Sequence, residues 1–231
     1  MAIISILSKA PTMPRLASPL ISRQSPIVSS AEIEPFSPGP WIWQNYDSSI
    51  KTELFSAAVR TKSGVYVVDP IPLTDVRVCE LSQSAPISGI VVTNVNHVRD
   101  SLAYSDRFSS SIFASRSSFP DPKPALFVQA TSANPIGNKL EVIEIEGAVD
   151  GEIALYHADN RGTFIVGDAL INCDPYGLAF LPRKYCLNEK QMRRSLGQLL
   201  TRPVERILFA HGTPTLSGAS ARLRQLLDVD L

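Results

Sequence analysis

Four side chains in this sequence stand where an apolar run breaks into a polar loop, and together they could hold a divalent metal ion. Phe164-Ile165-Val166-Gly167 runs into Asp168, and Ile207-Leu208-Phe209-Ala210 runs into His211. His97 and Asp100 lie just beyond the apolar stretch at residues 87–93. Such strand exits are where a rigid scaffold displays functional groups. A His-Asp-Asp-His set suits Zn, Mn or Fe, and an ion so held could polarise a carbonyl and activate water. Plainer readings exist for each residue. Asp100 can cap the helix that follows, Asp being a preferred cap. His97 can pack locally, and Asp168 and His211 can hydrogen-bond each other and merely hold two strand ends. Arg99, between the candidates, is expected to pair with Asp168 or Asp100 as a fixed charge in place of a cation. By strand alternation His157 faces the core and reads as a satisfied structural histidine. Cys173 reads as a small buried side chain rather than a thiolate ligand.

The elements that must position these residues follow from period and punctuation. Residues 41–46, 54–60 and 64–69 are β-type runs, the last two joined as a hairpin through Lys62-Ser63-Gly64. A helix is expected over 73–82 with Thr74 as a possible cap, and residues 87–93 form a strand apolar on both faces. A helix over 100–108 follows. Residues 111–115, 125–129, 140–145, 152–157 and 163–167 read as strands, with Asn160-Arg161-Gly162 turning between the last two. Asn188 caps a helix over 188–200, with Gln191 at the reciprocal position of a capping box. A strand at 206–210 and a helix over 216–227 complete the chain. Residues 174–183 are expected to be a loop over the mouth of the site. The pattern favours two packed β-sheets with helices outside, an α+β arrangement.

Four of these segments resemble the metallo-β-lactamase family. Thr93-Asn94-Val95-Asn96-His97-Val98-Arg99-Asp100 is similar to the first metal motif, in which Thr precedes His-x-His-x-Asp-His. Gly147-Ala148-Val149-Asp150-Gly151 is similar to the Gly-His-Thr-x-Gly-Ser stretch. Gly167-Asp168 and His211-Gly212 resemble the bridging aspartate and the final histidine. The resemblance implies a four-layer αββα sandwich over residues 36–231. It also implies a dizinc hydrolase site whose positions are mostly replaced here. Asn94, Asn96, Val98, Arg99 and Ala148 fall where ligands belong, and only Asp168 and His211 remain.

The leading expectation is therefore a metallo-β-lactamase-fold protein with an incomplete metal site and no bound metal. It would not be a standard dizinc hydrolase, and its old cleft could take a small-molecule ligand or a partner. The rival is a single-metal hydrolase of an ester, thioester or amide, with one Zn, Mn or Fe ion on Asp168, His211, His97 and Asp100.

Bulk properties agree with a globular protein of no special surface. Lys and Arg number 22 and so do Asp and Glu, so no excess charge points to nucleic acid. No apolar run reaches the roughly 18 residues that a bilayer span needs. The three cysteines, Cys79, Cys173 and Cys186, suit neither a disulfide framework nor a zinc knuckle. Residues 1–35 are Ser- and Pro-rich, with Lys9, Arg15 and Arg23 but no acid before Glu32. A disordered leader on a cytoplasmic protein is one reading, and a plastid transit peptide the other.

Overall fold

The computed structural model describes residues 30, 32–35 and 40–228. The segment expected to be a leader or transit peptide lies almost wholly outside the described residues. Of its described part, Ser30 bridges to Leu73, and β1 (Glu34–Pro35) pairs with β2 (Trp41–Asp47).

Two sheets form the centre of the molecule. The first has seven strands in chain order: β1, β2, β3 (Thr52–Thr61), β4 (Gly64–Val68), β5 (Ile87–Val92), β6 (Ser111–Ala114) and β7 (Phe127–Gln129). Pairing is antiparallel up to β4 and parallel from β4 onward. The second contains β8 (Leu140–Glu144), β9 (Ile153–His157), β10 (Thr163–Val166) and β13 (Arg206–Phe209), in the order β13-β10-β9-β8. In it β10 and β13 are parallel. Between the sheets lie Ile42, Ala57, Val59, Val68 and Val91 from one face and Val142, Ile153, Leu155, Ile165 and Leu208 from the other.

Helices cover both outer faces. Val78 and Leu81 of α1 (Asp75–Ser84) and Tyr104 of α2 (Ser101–Phe108) pack on the opposite side chains of the first sheet, among them Trp43, Val65, Val67 and Ile90. Met192 and Leu196 of α3 (Glu189–Leu196) and Leu223 and Leu227 of α4 (Ala219–Asp228) do the same for Phe164, Val166, Ile207 and Phe209. Strands β4, β9 and β10 are buried throughout because they carry core on both faces. The result is a four-layer αββα sandwich.

Three local departures from the sequence reading have simple causes. The helix expected over 188–200 stays α-helical only to Leu196 and tightens to a 3-10 turn from Gly197. Its cap is formed by Asn188, which accepts from Gln191 N at 3.1 Å, but the Gln191 side chain donates to Glu146 instead of closing a box. The final helix starts after Gly218, at φ +64, and not at Leu216. The region read as a plain loop over the site contains a hairpin, β11 (Leu170–Cys173) with β12 (Gly177–Phe180).

Among the described residues no helix is long and apolar enough to cross a membrane.

Candidate metal centre

Parallel pairing brings the C-terminal ends of β4, β5, β10 and β13 to one pole of the sandwich, so Asp69, Thr93, Asp168 and His211 leave their strands side by side. Phe55 N donates to Ala210 O at 3.0 Å and ties the two sheets together there. His211 is anchored by its neighbour. Gly212 has φ +95, and a Cβ on it would lie 2.2 Å from Asn172 O of β11. Thr213 N donates to that same carbonyl at 2.8 Å.

His97 reaches this pole through a 3-10 turn at Val95–His97. Asn94 caps the turn, its side-chain oxygen accepting from Asn96 N at 2.8 Å. The turn swings the ring of His97 inward, where it is 2 % exposed. His97 Nε2 then lies 3.3 Å from Asp168 Oδ1, His211 Nε2 lies 3.3 Å from the same oxygen, and the two ring nitrogens are 3.4 Å apart. His97, Asp168 and His211 are the group among the described residues whose donor atoms could close on one ion.

The other nitrogen of each ring is engaged. Thr93 Oγ1 donates to Asp69 Oδ2 at 2.6 Å, which leaves the hydroxyl free to accept from His97 Nδ1 at 2.8 Å. Asp69 Oδ2 is itself 3.0 Å from Nδ1. His211 Nδ1 lies 3.1 Å from Glu53 O, a carbonyl that can only accept. This network puts the proton of both rings on Nδ1 and turns both Nε2 lone pairs toward Asp168.

Three lone-pair donors at such separations repel unless a cation sits among them, either a proton or a metal ion. Burial disfavours a charged His97, but the carboxylates of Asp168 and Asp69 overcome it and push its pKa up to about 9. Burial likewise opposes ionisation of Asp168, and the charges and hydrogen bonds of His97 and His211 outweigh it, holding the carboxyl far below its ordinary range. A metal fits the same triangle. Two ligand bonds of ~2.05 Å at a tetrahedral angle set donor atoms about 3.3 Å apart, the edge found here three times. Three ligands and an open fourth position are the usual form of a catalytic site.

Asn94 and Glu152 occupy the ground beside this triangle. Asn94 Nδ2 donates to Glu152 Oε2 at 2.7 Å and to Asp168 Oδ2 at 3.1 Å. Ala169 N donates to Glu152 Oε1 at 3.0 Å. Burial, with Asp168 beside it, pushes the Glu152 carboxyl up to about 8. Gly167 makes the crowding possible, since a Cβ there would meet Thr93 Oγ1 at 2.6 Å and Glu152 Oε1 at 2.7 Å.

Asp100 does not join the converging donors. Arg99, at φ +38, turns the chain into α2, so Asp100 N donates to Pro70 O at 3.1 Å and its carboxylate acts on Tyr104. It stands at the cap position of α2 without a side-chain cap hydrogen bond. Arg99 pairs with neither acid expected of it: Nη1 donates to the carbonyls of Phe55 at 2.7 Å and Asp69 at 2.9 Å. Ala148 and Val98 are packing residues, Ala148 at 0 % exposure. Cys173 lies outside the donor group, its thiol pushed up by burial and by Glu53 and Asp174. The buried carboxylates Asp69 and Glu152 went unnoticed in the sequence. A charged residue directly abutting a wholly apolar strand, as each does, was the available signal.

No protein-family model and no curated protein sequence matches the chain. Solved structures do. The metallo-β-lactamase DIM-1 is 15 % identical, with a TM-score of 0.68 over 89 % of this chain and 100 % of its own. A metallo-β-lactamase from Pontibacter korlensis is 16 % identical, with a TM-score of 0.64 over 86 % and 99 %. One from Erythrobacter litoralis is 15 % identical, with a TM-score of 0.60 over 88 % and 95 %. The chain has the αββα fold of the metallo-β-lactamases.

Proposed function

We propose that this protein is a single-metal hydrolase of an ester, thioester or amide. The observation that carries the reading is the triangle of His97 Nε2, His211 Nε2 and Asp168 Oδ1, with edges of 3.3, 3.3 and 3.4 Å. An ion held there supplies Lewis-acid polarisation and water activation. Thr93 and Asp69 fix the tautomer and tilt of His97, and the Glu53 carbonyl fixes those of His211. Asn94 engages Oδ2 of Asp168, the oxygen that would have to serve a second ion, and so restricts the site to one. A groove of about 310 Å³ lined by Ser115, Gln129, Asp150 and Leu187 reaches Glu152, although none of the three donor residues lines it.

One observation favours the rival, a binding cleft without metal. A proton on His97 can neutralise the same triangle, and the guanidinium of Arg99 adds a fixed positive charge nearby. Hydrolysis of aryl ester and aryl thioester substrates, by protein stripped with chelator and then reloaded with zinc, manganese or iron, separates the two. The hydrolase reading expects turnover that returns on reloading and is absent from an Asp168→Ala, His211→Ala double variant. Turnover absent from reloaded wild-type protein across the panel would sink it.

A further inference from the structure

We infer that the pole of the sandwich opposite the metal centre carries a second ligand site, for a small anion borne on a flat ring. The pole is defined by strand direction. His97, Asp168 and His211 gather where β4, β5, β10 and β13 end, whereas Thr61, Gly64, Pro86, Lys139, His157 and Asn160 lie where β4, β5, β8 and β10 begin or their antiparallel neighbours end. These residues line a cavity of about 720 Å³, within the range that takes small ligands.

Its chemistry is lopsided. Arg60, Lys62 and Lys139 bring three cations to the cavity against the single carboxylate of Asp159. Lys139 holds that carboxylate in hydrogen bonds, with Nζ at 2.9 and 3.2 Å from its two oxygens, while Lys62 and His157 act on it through charge. Arg60 and Lys62 are exposed, and neither makes a side-chain hydrogen bond to a described residue. Two exposed cations two residues apart, with no side-chain hydrogen bond among the described residues, favour an anion there.

A third observation points the same way. His157 lines the cavity at 8 % exposure, and its Nε2 is buried with no hydrogen-bond partner among the described residues. The nearest acid, Asp159 Oδ2, is 3.5 Å away and lacks hydrogen-bonding geometry. One nitrogen of this expected structural histidine therefore lacks a hydrogen bond among the described residues. Buried polar groups are so rarely orphaned that an exception asks for a ligand or function. The half-buried indole of Trp41 lines the same cavity, with Pro35, its partner in β1, and Pro40 beside it in the chain. In β2 and β3 Trp41 is paired with Ala58, so Arg60, two residues further on, projects from the same sheet face as Trp41. A planar ring against the indole would bring a phosphate or carboxylate substituent to Arg60 and Lys62. Aryl phosphates and nucleoside monophosphates have this chemistry.

Intrinsic fluorescence tests the site directly, because the chain has two tryptophans and the other, Trp43, is 3 % exposed with Nε1 bonded to Ile71 O. Phenyl phosphate titrated into the full chain is expected to change the emission saturably at millimolar concentration or below. Inorganic phosphate should compete, and phenol should not bind in that range. An Arg60→Ser, Lys62→Ser variant should bind at least tenfold more weakly, and the single charge reversal Lys62→Glu, which keeps the rest of the site, should also weaken binding. The Asp168→Ala, His211→Ala variant should bind phenyl phosphate as the wild type does, whatever the metal centre does. The inference is overturned by any of three results: no saturable change with wild-type protein, binding indifferent to the Arg60 and Lys62 changes, or binding lost with Asp168 and His211.

Discussion

Asn94 Nδ2 lies 3.1 Å from Asp168 Oδ2, so an amide occupies the side of the carboxylate where a second metal ion would have to bind. This contact leaves Oδ1 to the histidines and fixes its direction. Asn94→Ala removes the contact and the one to Glu152 together. Supporting groups of this kind typically change metal affinity by about 10- to 100-fold. Competition titration of Asn94→Ala against a chromophoric chelator is expected to show zinc binding weaker by that order.

Asp69 supports the other side of the site. It accepts from Thr93 N at 2.8 Å and from Thr93 Oγ1, and it is the nearest counter-charge to the Nδ1 side of His97. Asp69→Ala leaves those donors without an acceptor, and the buried charge of Arg99 without the carboxylate beside it. Removing one partner of such a network costs roughly 3–5 kcal/mol. Urea unfolding should show a loss of that order. Asp69→Asn, which keeps the shape and one acceptor, should lose less while still weakening metal binding.

The pH dependence of the chelator-treated protein follows from two groups whose folded pKa values are raised. His97 moves up to about 9 and Glu152 up to about 8. A raised group contributes its full stability below its unfolded pKa, and that contribution is lost as pH climbs through the folded one. Both therefore act in the same direction. The metal-free protein should lose stability steadily from about pH 5 to pH 9. A metal ion displaces the proton from His97, so zinc affinity should rise over the same window. Unfolding midpoints at pH 5, 7 and 9, with chelator and with zinc, check both signs. Midpoints in chelator that rise with pH would contradict this assignment of charge.

Crowding at Gly167 gives a prediction independent of charge. A methyl at this position must push aside Thr93 Oγ1 or Glu152 Oε1, both under 3 Å away and both held in hydrogen bonds. Gly167→Ala should cost about 1–3 kcal/mol, the usual range for overpacking. Thr93→Ala removes the clashing hydroxyl, so in thermal melts a Thr93→Ala, Gly167→Ala double variant should lose less than the sum of the two single variants, as the contact requires.

Much of the fold was legible because burial writes a period into the chain. Runs such as Gly64–Val68 and Ile87–Val92 are apolar on both faces and could only be interior strands. The Asp168 and His211 positions were legible for the same reason, each being the first polar residue after such a run. What surrounds them was harder to read. The ring of His97 points inward because a three-residue turn, set by the hydrogen bond from Asn96 N to the Asn94 side chain, shifts its direction. Local side-chain bonding of that kind leaves no periodic trace. Asp69 and Glu152 became visible only once strand pairing was known, Asp69 through the alignment of Val68 with Val91 that places it beside Thr93. Arg99 was misplaced because a positive φ redirects it toward the carbonyls of Phe55 and Asp69, which no charge pattern encodes.

The most direct test is the number of zinc ions bound per chain by purified protein after dialysis, in the wild type and in His97→Ala, Asp168→Ala and His211→Ala. One ion in the wild type and a large loss in each variant is the predicted result. No retained ion in the wild type, two ions, or one ion that survives the loss of His97 would contradict a single-metal centre built on these three residues.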